Sequence, residues 1–91
     1  MLNPKHADSW SSFYASASSG TVLDERTMVL IGLAASIAVD CEPCAEAYLS
    51  KCNEHAISDA EIADVLAKVM AVSAGKRKST FSHTLKRMRK Q

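Results

Sequence analysis

The segment from Met28 to Val39 is the feature that most restricts how this 91-residue chain can fold. It carries no charged side chain, and Ser36 is its only residue with a polar side chain. As a helix it would be apolar on nearly every face, which favours burial on all sides, either at the centre of the fold or in a subunit interface. A chain this short buries only a modest core by itself. We therefore expect a homo-oligomer whose interface covers part of this helix.

The other regular segments also have helical periodicity. Trp10, Phe13, Tyr14 and Ala17 recur at i, i+3, i+4 and i+7, which predicts an amphipathic helix over residues 5–18. A second apolar stripe follows later in the chain, at Ile62, Val65, Leu66, Val69 and Met70. No segment alternates as a strand would. The sequence thus predicts an all-α fold, a compact bundle of four to five helices.

Local signals place the helix boundaries. Asp24 is a predicted N-cap, the residues from Asp40 to Pro43 form a predicted helix start, and Ser58 with Glu61 has the spacing of a capping box. Gly75 is the predicted end of the last apolar stripe. We accordingly predict a helical domain over residues 1–75 and a basic C-terminal extension over residues 76–91.

Charge is unevenly divided between these two parts. Residues 1–75 contain four Lys and Arg against ten Asp and Glu, whereas residues 76–91 contain seven Lys and Arg and no acidic residue. The extension has the pattern of a short amphipathic helix or of a disordered tail. A basic tail could bind nucleic acid or an anionic membrane surface. Because the remaining chain is acidic, we instead expect the tail to be solvated or to dock on its own or a neighbouring subunit.

The sequence has no apolar region typical of a secretory signal, and its longest apolar stretch falls short of the ~20 residues that a membrane span needs. We therefore expect a soluble, cytoplasmic protein without a membrane partner. The cysteine count is odd, at three, which argues against a structural disulfide framework. The thiols should start out reduced.

Cys41 and Cys44 form a C-x-x-C pair at the predicted start of a helix. Two thiols one turn apart are close enough to form and break a disulfide with little backbone movement. The helix N-terminus would stabilise a thiolate, while the carboxylates of Asp40, Glu42 and Glu46 would oppose it. The pair therefore indicates redox chemistry, and the alternative is two ordinary buried cysteines.

Cys41, Cys44, Cys52 and His55 also resemble a set of zinc ligands. On one continuous helix, however, the first and last of them would stand about 20 Å apart, because the rise is ~1.5 Å per residue. We expect no metal site and no cofactor. Cys52 and Tyr48 are then predicted to pack in the core, and His55 to lie at the end of its helix.

Three motifs in this order resemble the carboxymuconolactone decarboxylase superfamily, on its alkylhydroperoxidase-like side. They are LDERTMVLIGLAAS over Leu23–Ser36, the pair Cys41-x-x-Cys44, and SDAEIA over Ser58–Ala63. The resemblance covers about residues 10–75. It implies an all-helical fold that assembles as a homotrimer or homohexamer. It also implies that Cys44 is the attacking thiol and Cys41 its resolving or proton-donating partner.

The sequence departs from that pattern at the positions of the proton relay. Alkylhydroperoxidases carry a glutamate twelve residues before the first cysteine and a histidine four residues after the second, and these positions are Val29 and Tyr48 here. A histidine that often lies between the cysteines is replaced by Pro43. Loss of a general base should cost on the order of 10²-fold in peroxide reduction.

The sequence therefore favours a thiol-disulfide or peroxide-linked redox protein that uses Cys41 and Cys44, an antioxidant enzyme with weak peroxidase activity. Disulfide exchange requires only an accessible pair at a helix N-terminus, and a thiol-redox partner protein would supply the electrons. Lactone decarboxylation is the weaker interpretation, since that branch generally lacks the pair. The alternative from another class is a non-catalytic, homo-oligomeric binding subunit that retains the fold.

Overall fold

The computed structural model describes residues 1–90, which contain four α-helices and no β-strand. The helices are α1 (Pro4–Ser18), α2 (Glu25–Ala38), α3 (Glu42–Glu54) and α4 (Asp59–Arg89). The prediction of an all-α fold with four to five helices is confirmed.

Side-chain caps begin three of the helices where the sequence predicts them or close by. The Asp24 carboxylate accepts a hydrogen bond from the Thr27 N–H at 2.7 Å. The Ser58 hydroxyl accepts one from the Glu61 N–H at 3.2 Å, and the Glu61 carboxylate accepts one from the Ser58 N–H at 3.1 Å. The predicted cap and the predicted capping box are both confirmed, and Asn3 caps α1 in the same way.

The prediction that Gly75 ends the last helix is wrong, because α4 continues to Arg89. Gly75 has no positive φ angle, so it does not form the left-handed turn that ends many helices. A glycine inside a helix costs only about 1 kcal/mol relative to alanine, and the residues around it include good helix formers. The helix consequently crosses the boundary at residue 75, and the division of the chain there stays a prediction.

The core is small and centred on α2, which packs against α3 on one side and α4 on the other. Its buried apolar side chains are those of Val29, Leu33, Cys52 and Ile57, of which Leu33 and Cys52 are fully buried. Around them lie partly buried side chains, namely Leu30, Ile37, Tyr48, Ile62 and Val65.

The apolar composition of α2 favours burial on all sides, but a single chain leaves part of the helix uncovered. Ile31 is 47 % exposed and Val39 is 72 % exposed. Helix α1 adds no buried residue, and its aromatic side chains, Trp10, Phe13 and Tyr14, contact each other while remaining largely exposed.

The described chain is more extended than the compact bundle that the sequence suggests. Its radius of gyration is 17.8 Å, whereas a compact domain of this length would have about 12 Å. The long α4 and the loosely packed α1 account for the difference. Although α4 has 31 residues, neither it nor another helix within residues 1–90 is apolar enough over sufficient length to cross a membrane.

Candidate functional site

The turn between α2 and α3 positions the cysteine pair. The Asp40 N–H donates to the Ile37 carbonyl at 3.1 Å, and the Cys41 N–H donates to the Ser36 carbonyl at 2.9 Å. This pair of bonds defines a Schellman motif, in which Asp40 adopts a left-handed conformation with a φ of 55°. The motif ends α2 and fixes Cys41 at the N-cap of α3.

Cys41 and Cys44 are joined by a disulfide, and their Cα atoms lie 5.2 Å apart. The Cys41 sulfur also accepts a hydrogen bond from the Cys44 N–H at 3.3 Å, so a sulfur atom takes the place of the usual capping oxygen. Pro43 lies within the first turn of α3, where its missing N–H removes no helical hydrogen bond. The prediction that the pair flanks a helix N-terminus is confirmed.

A shallow depression of about 310 Å³ opens to solvent beside Cys41. Its walls are the end of α2, the turn and the start of α3, through Ser36, Ile37, Asp40, Glu42 and Ala45. Both disulfide cysteines are partly exposed. A small thiol, or a flexible peptide strand that carries one, can therefore approach the disulfide from this side.

The surroundings of the pair are acidic. Asp40, Glu42 and Glu46 are exposed, and no Lys or Arg lies within four residues of any of them. Within residues 1–90 the one ion pair joins Arg26 to Glu61, where the two side chains approach to 2.5 Å, and it does not involve these carboxylates. A thiolate here would be stabilised by the helix N-terminus and opposed by three negative charges.

Cys52 takes no part in the pair. It is a free thiol, fully buried in the core, and burial raises the pKa of this thiol, with a smaller contribution from the charge of Glu61. Its carbonyl accepts the Ile57 N–H at 2.9 Å in a second Schellman motif, in which Ala56 has a φ of 53°. The prediction that Cys52 packs in the core is confirmed.

Val29 and Tyr48, which occupy the positions of the proton relay, belong to the core. Val29 is 4 % exposed, and the Tyr48 ring packs against the same cluster. The ring lies so close to the α2 backbone at Gly32 that an alanine Cβ there would overlap it. On its other side the ring approaches Lys51, whose Nζ is 4.9 Å from the ring centroid. The Tyr48 phenol beside Tyr14 raises the pKa of Tyr14.

The four residues that resemble a zinc set do not converge. Cys41 and Cys44 bond to each other, Cys52 lies in the core, and His55 is the C-cap of α3. Throughout the part of the chain that the structure describes, no three His, Cys, Asp or Glu side chains come together as a metal site would require.

The structure adds Ser36 to the site and gives Asp40, which the sequence places there only as a charge, a second role. Ser36 lines the depression and is buried, and its hydroxyl donates to the Gly32 carbonyl at 2.7 Å. Its position as the one hydroxyl in an apolar segment was an available signal. Asp40 supplies the left-handed turn. Asp enters this conformation more readily than most residues, but the preference is only a weak signal in the sequence.

Comparison with known proteins supports the same fold. The chain is similar to a protein from Methanobacterium thermoautotrophicum of known crystal structure, with 32 % sequence identity and a TM-score of 0.81 over 87 % of this chain and 89 % of that one. No curated protein matches the chain. The model of the carboxymuconolactone decarboxylase family matches residues 4–86, which extends beyond both ends of the resemblance found in the motifs. The chain therefore belongs to the carboxymuconolactone decarboxylase family.

Proposed function

We propose that this protein is a thiol-disulfide redox protein that uses Cys41 and Cys44. The observation that carries the proposal is the disulfide itself, which lies at the N-cap of α3 and borders an open depression. A reducing compartment such as the cytoplasm would suit this chemistry, with a partner that exchanges thiols. Disulfides are reduced there unless they are re-formed continually, so the pair would cycle between its two states.

The proposed exchange oxidises a dithiol partner and reduces the protein. A partner thiolate attacks one sulfur of the pair, which forms a mixed disulfide and releases the other cysteine as a thiolate. The second partner thiol then attacks the mixed disulfide and frees the first cysteine. The partner loses two electrons and two protons, and the Cys41–Cys44 pair gains them as two thiols.

The N-cap hydrogen bond favours attack on the sulfur of Cys44, which is partly exposed although only Cys41 lines the depression. The leaving group is then the Cys41 thiolate, and the N–H that would stabilise it already points at the Cys41 sulfur. A more stable leaving thiolate departs faster. The same asymmetry is compatible with the resemblance, which implies that Cys44 is the attacking thiol of the reduced pair.

Reduction of a peroxide by the dithiol form is the second reaction of the proposal. The Cys44 thiolate would attack a peroxide oxygen and break the O–O bond, which gives a sulfenic acid and an alkoxide that takes up a proton to become the alcohol. Cys41 would then displace water from the sulfenic acid and re-form the disulfide, and a dithiol protein would reduce it again. The alkoxide that leaves needs a proton, and Val29 and Tyr48 supply no general acid or base comparable to a glutamate and a histidine. We therefore expect slow peroxide turnover.

The direct experiment follows the three thiols by mass spectrometry while dithiothreitol and a mild oxidant are alternated. We expect the Cys41–Cys44 disulfide to open and re-form, with the helical circular dichroism signal unchanged, and the Cys52→Ala variant to behave identically. If Cys52 links to either partner, or if all three thiols stay free in the folded protein under oxidant, the redox function is refuted.

Restoring the relay tests the peroxide reaction separately. The Val29→Glu and Tyr48→His changes together should raise alkyl hydroperoxide turnover more than the sum of their single effects, because the two groups act as one unit. Since Val29 is buried, the variants must first be shown to keep their helical content. A matched pair, Val29→Gln with Tyr48→Phe, should give no increase.

A second candidate is a non-catalytic, homo-oligomeric binding subunit. The observation that favours it is the apolar surface left uncovered on α2, including Ile31 and Val39, together with relay positions that are part of the core. A homotrimer or a homohexamer would cover this surface, and both are compatible with it. Sedimentation across micromolar concentrations tests the assembly, and thiol cycling separates this candidate from the redox protein.

A further inference from the structure

We propose that the basic arm, defined as residues 76–90 at the C-terminal end of α4 and its cap, docks on a second copy of this chain. The docking site is the acidic start of α3, defined as Asp40, Glu42 and Glu46. The interaction would bring positive charge to the disulfide of the neighbouring subunit.

The arm is a preformed helix without a partner. It continues α4 without a break to Arg89, and none of its seven Lys and Arg side chains forms an ion pair within residues 1–90. Its apolar side chains are uncovered as well, with Phe81 66 % exposed and Met88 56 % exposed. A helix with exposed cations and exposed large apolar groups is typical of a surface that binds another macromolecule.

A groove of about 540 Å³ runs along the beginning of the arm. It lies between Ala38 at the end of α2 and α4, where Lys76, Arg77, Thr80 and Phe81 line it. Two cations, a hydroxyl and an aromatic ring are the groups expected around bound carboxylates with apolar neighbours.

The acidic start of α3 has the complementary chemistry and lacks cations of its own. Its three carboxylates are exposed, and two of them, Asp40 and Glu42, line the depression together with the apolar Ile37 and Ala45. The other acidic cluster, Asp59, Glu61 and Asp64, is already compensated, since Arg26 binds Glu61 and Lys68 lies one turn from Asp64.

Charge arithmetic favours a second copy as the occupant. Residues 1–75 carry a net charge of −6 and residues 76–91 carry +7, so docking between copies would neutralise both surfaces. The acidic body of the chain would repel a nucleic acid drawn to the same arm. Lys76 and Arg77 line a groove with Ala38 of their own subunit, but neither forms an ion pair with the acidic start of α3 there. The rest of the arm continues as one helix to Arg89, without a break that would turn it back.

The docking has one consequence that rests on the proposed redox function. Three carboxylates oppose the thiolate form of the pair. No Lys or Arg lies within four residues of them, and none of them forms an ion pair within residues 1–90. Cations from the neighbouring arm would offset those carboxylates and favour the thiolate. The docking itself does not depend on the cysteines, so it is measurable in a Cys41→Ser/Cys44→Ser variant.

The test is a charge-swap experiment read by analytical ultracentrifugation of the full chain. We expect association of the wild type to weaken as salt rises. We expect the Lys76→Glu/Arg77→Glu variant and the Glu42→Lys/Glu46→Lys variant each to weaken association by at least about tenfold. The control Asp8→Lys/Glu54→Lys, which makes the same charge change as Glu42→Lys/Glu46→Lys at exposed sites elsewhere, should have little effect. Circular dichroism confirms that each variant is folded.

The decisive measurement uses an equimolar mixture of the two weakened variants. The carboxylates introduced at positions 76 and 77 of one variant would meet the ammonium groups introduced at positions 42 and 46 of the other. Mixing should therefore restore association to within about threefold of the wild type. A contact within one chain would not be rescued in this way. The proposal is overturned if mixing restores nothing, if the control weakens association equally, or if the wild type is a monomer. It is also overturned if Lys76→Glu/Arg77→Glu abolishes binding to a duplex DNA probe and leaves self-association unchanged.

Discussion

The contact between Gly32 and Tyr48 gives a prediction in which two effects of one methyl group oppose each other. Replacing a glycine inside a helix by alanine ordinarily stabilises the protein by about 1 kcal/mol. At Gly32 the new Cβ would lie 2.6 Å from Cδ1 of Tyr48 and closer still to Cε1 and Cζ. Carbon atoms in contact normally stand ~3.5–4.0 Å apart, so the ring or the helix must move by about 1 Å or more.

The movement should cost more than the helix gains. The Tyr48 ring packs against the core cluster and lies under the Lys51 ammonium, so turning away would give up both contacts. Overpacking of this kind typically costs about 1–3 kcal/mol and occasionally more. We expect Gly32→Ala to lower the free energy of unfolding by about 1–2 kcal/mol. In a Tyr48→Ala background, where the obstacle is absent, the same change should raise it by about 0.5–1 kcal/mol.

Urea denaturation followed by circular dichroism measures all four proteins of this double-mutant cycle, at one protomer concentration because assembly would shift the midpoint. Gly75→Ala is the matched control, since a Cβ at Gly75 meets no atom within 4 Å, and it should stabilise the protein by about 1 kcal/mol. If Gly32→Ala stabilises the protein as much as Gly75→Ala does, the close packing of α2 on Tyr48 is refuted.

Three further outcomes follow from other contacts. Ala56→Gly should stabilise the protein by about 0.5–1 kcal/mol, because it relieves an alanine in the left-handed conformation. The control Ala47→Gly, at an exposed position inside α3, should destabilise it by about 1 kcal/mol. A loss of stability on Ala56→Gly would contradict the left-handed turn. Hydrogen bonds from Arg26 and Ser58 lower the pKa of Glu61 to about 2. The ionised carboxylate therefore stabilises the folded state at pH values above its usual pKa of 4.5, and this contribution should disappear as the pH falls toward 2. In Arg26→Met the free energy of unfolding should depend less on pH in this range than in the control Lys5→Met. Cys52 should resist iodoacetamide in the native protein and react in guanidinium chloride, and rapid native labelling would show that the core is open at this thiol.

The sequence was sufficient for the features that depend on local chemistry. The caps at Asp24 and Ser58 and the start of α3 at Cys41 were predictable because each is decided by a few neighbouring residues. The core position of Cys52 was predictable from helical spacing within α3. These are interactions over one or two turns, for which the sequence alone specifies the geometry.

Features that depend on competing small energies were not predictable in the same way. The end of α4 depended on whether one glycine outweighs the helix propensity of the residues around it, and it does not. Asp40 and Ala56 were not identified as left-handed residues because neither is a glycine. In both cases the favourable bonds of a Schellman motif offset the cost of the backbone conformation, and those bonds require the following helix or loop to be in place.

The same two residues that separate this chain from the alkylhydroperoxidases it resembles also contribute to its small core. Val29 is one of only four buried apolar residues in the part of the chain described here, and Tyr48 packs on the same cluster against Gly32. A glutamate at position 29 would place a carboxylate among apolar side chains, where it is costly unless a partner group is also present. A histidine at position 48 is the group that could provide that partner. Each single change should therefore cost stability without restoring the relay, which is the physical reason to expect the two changes to act together.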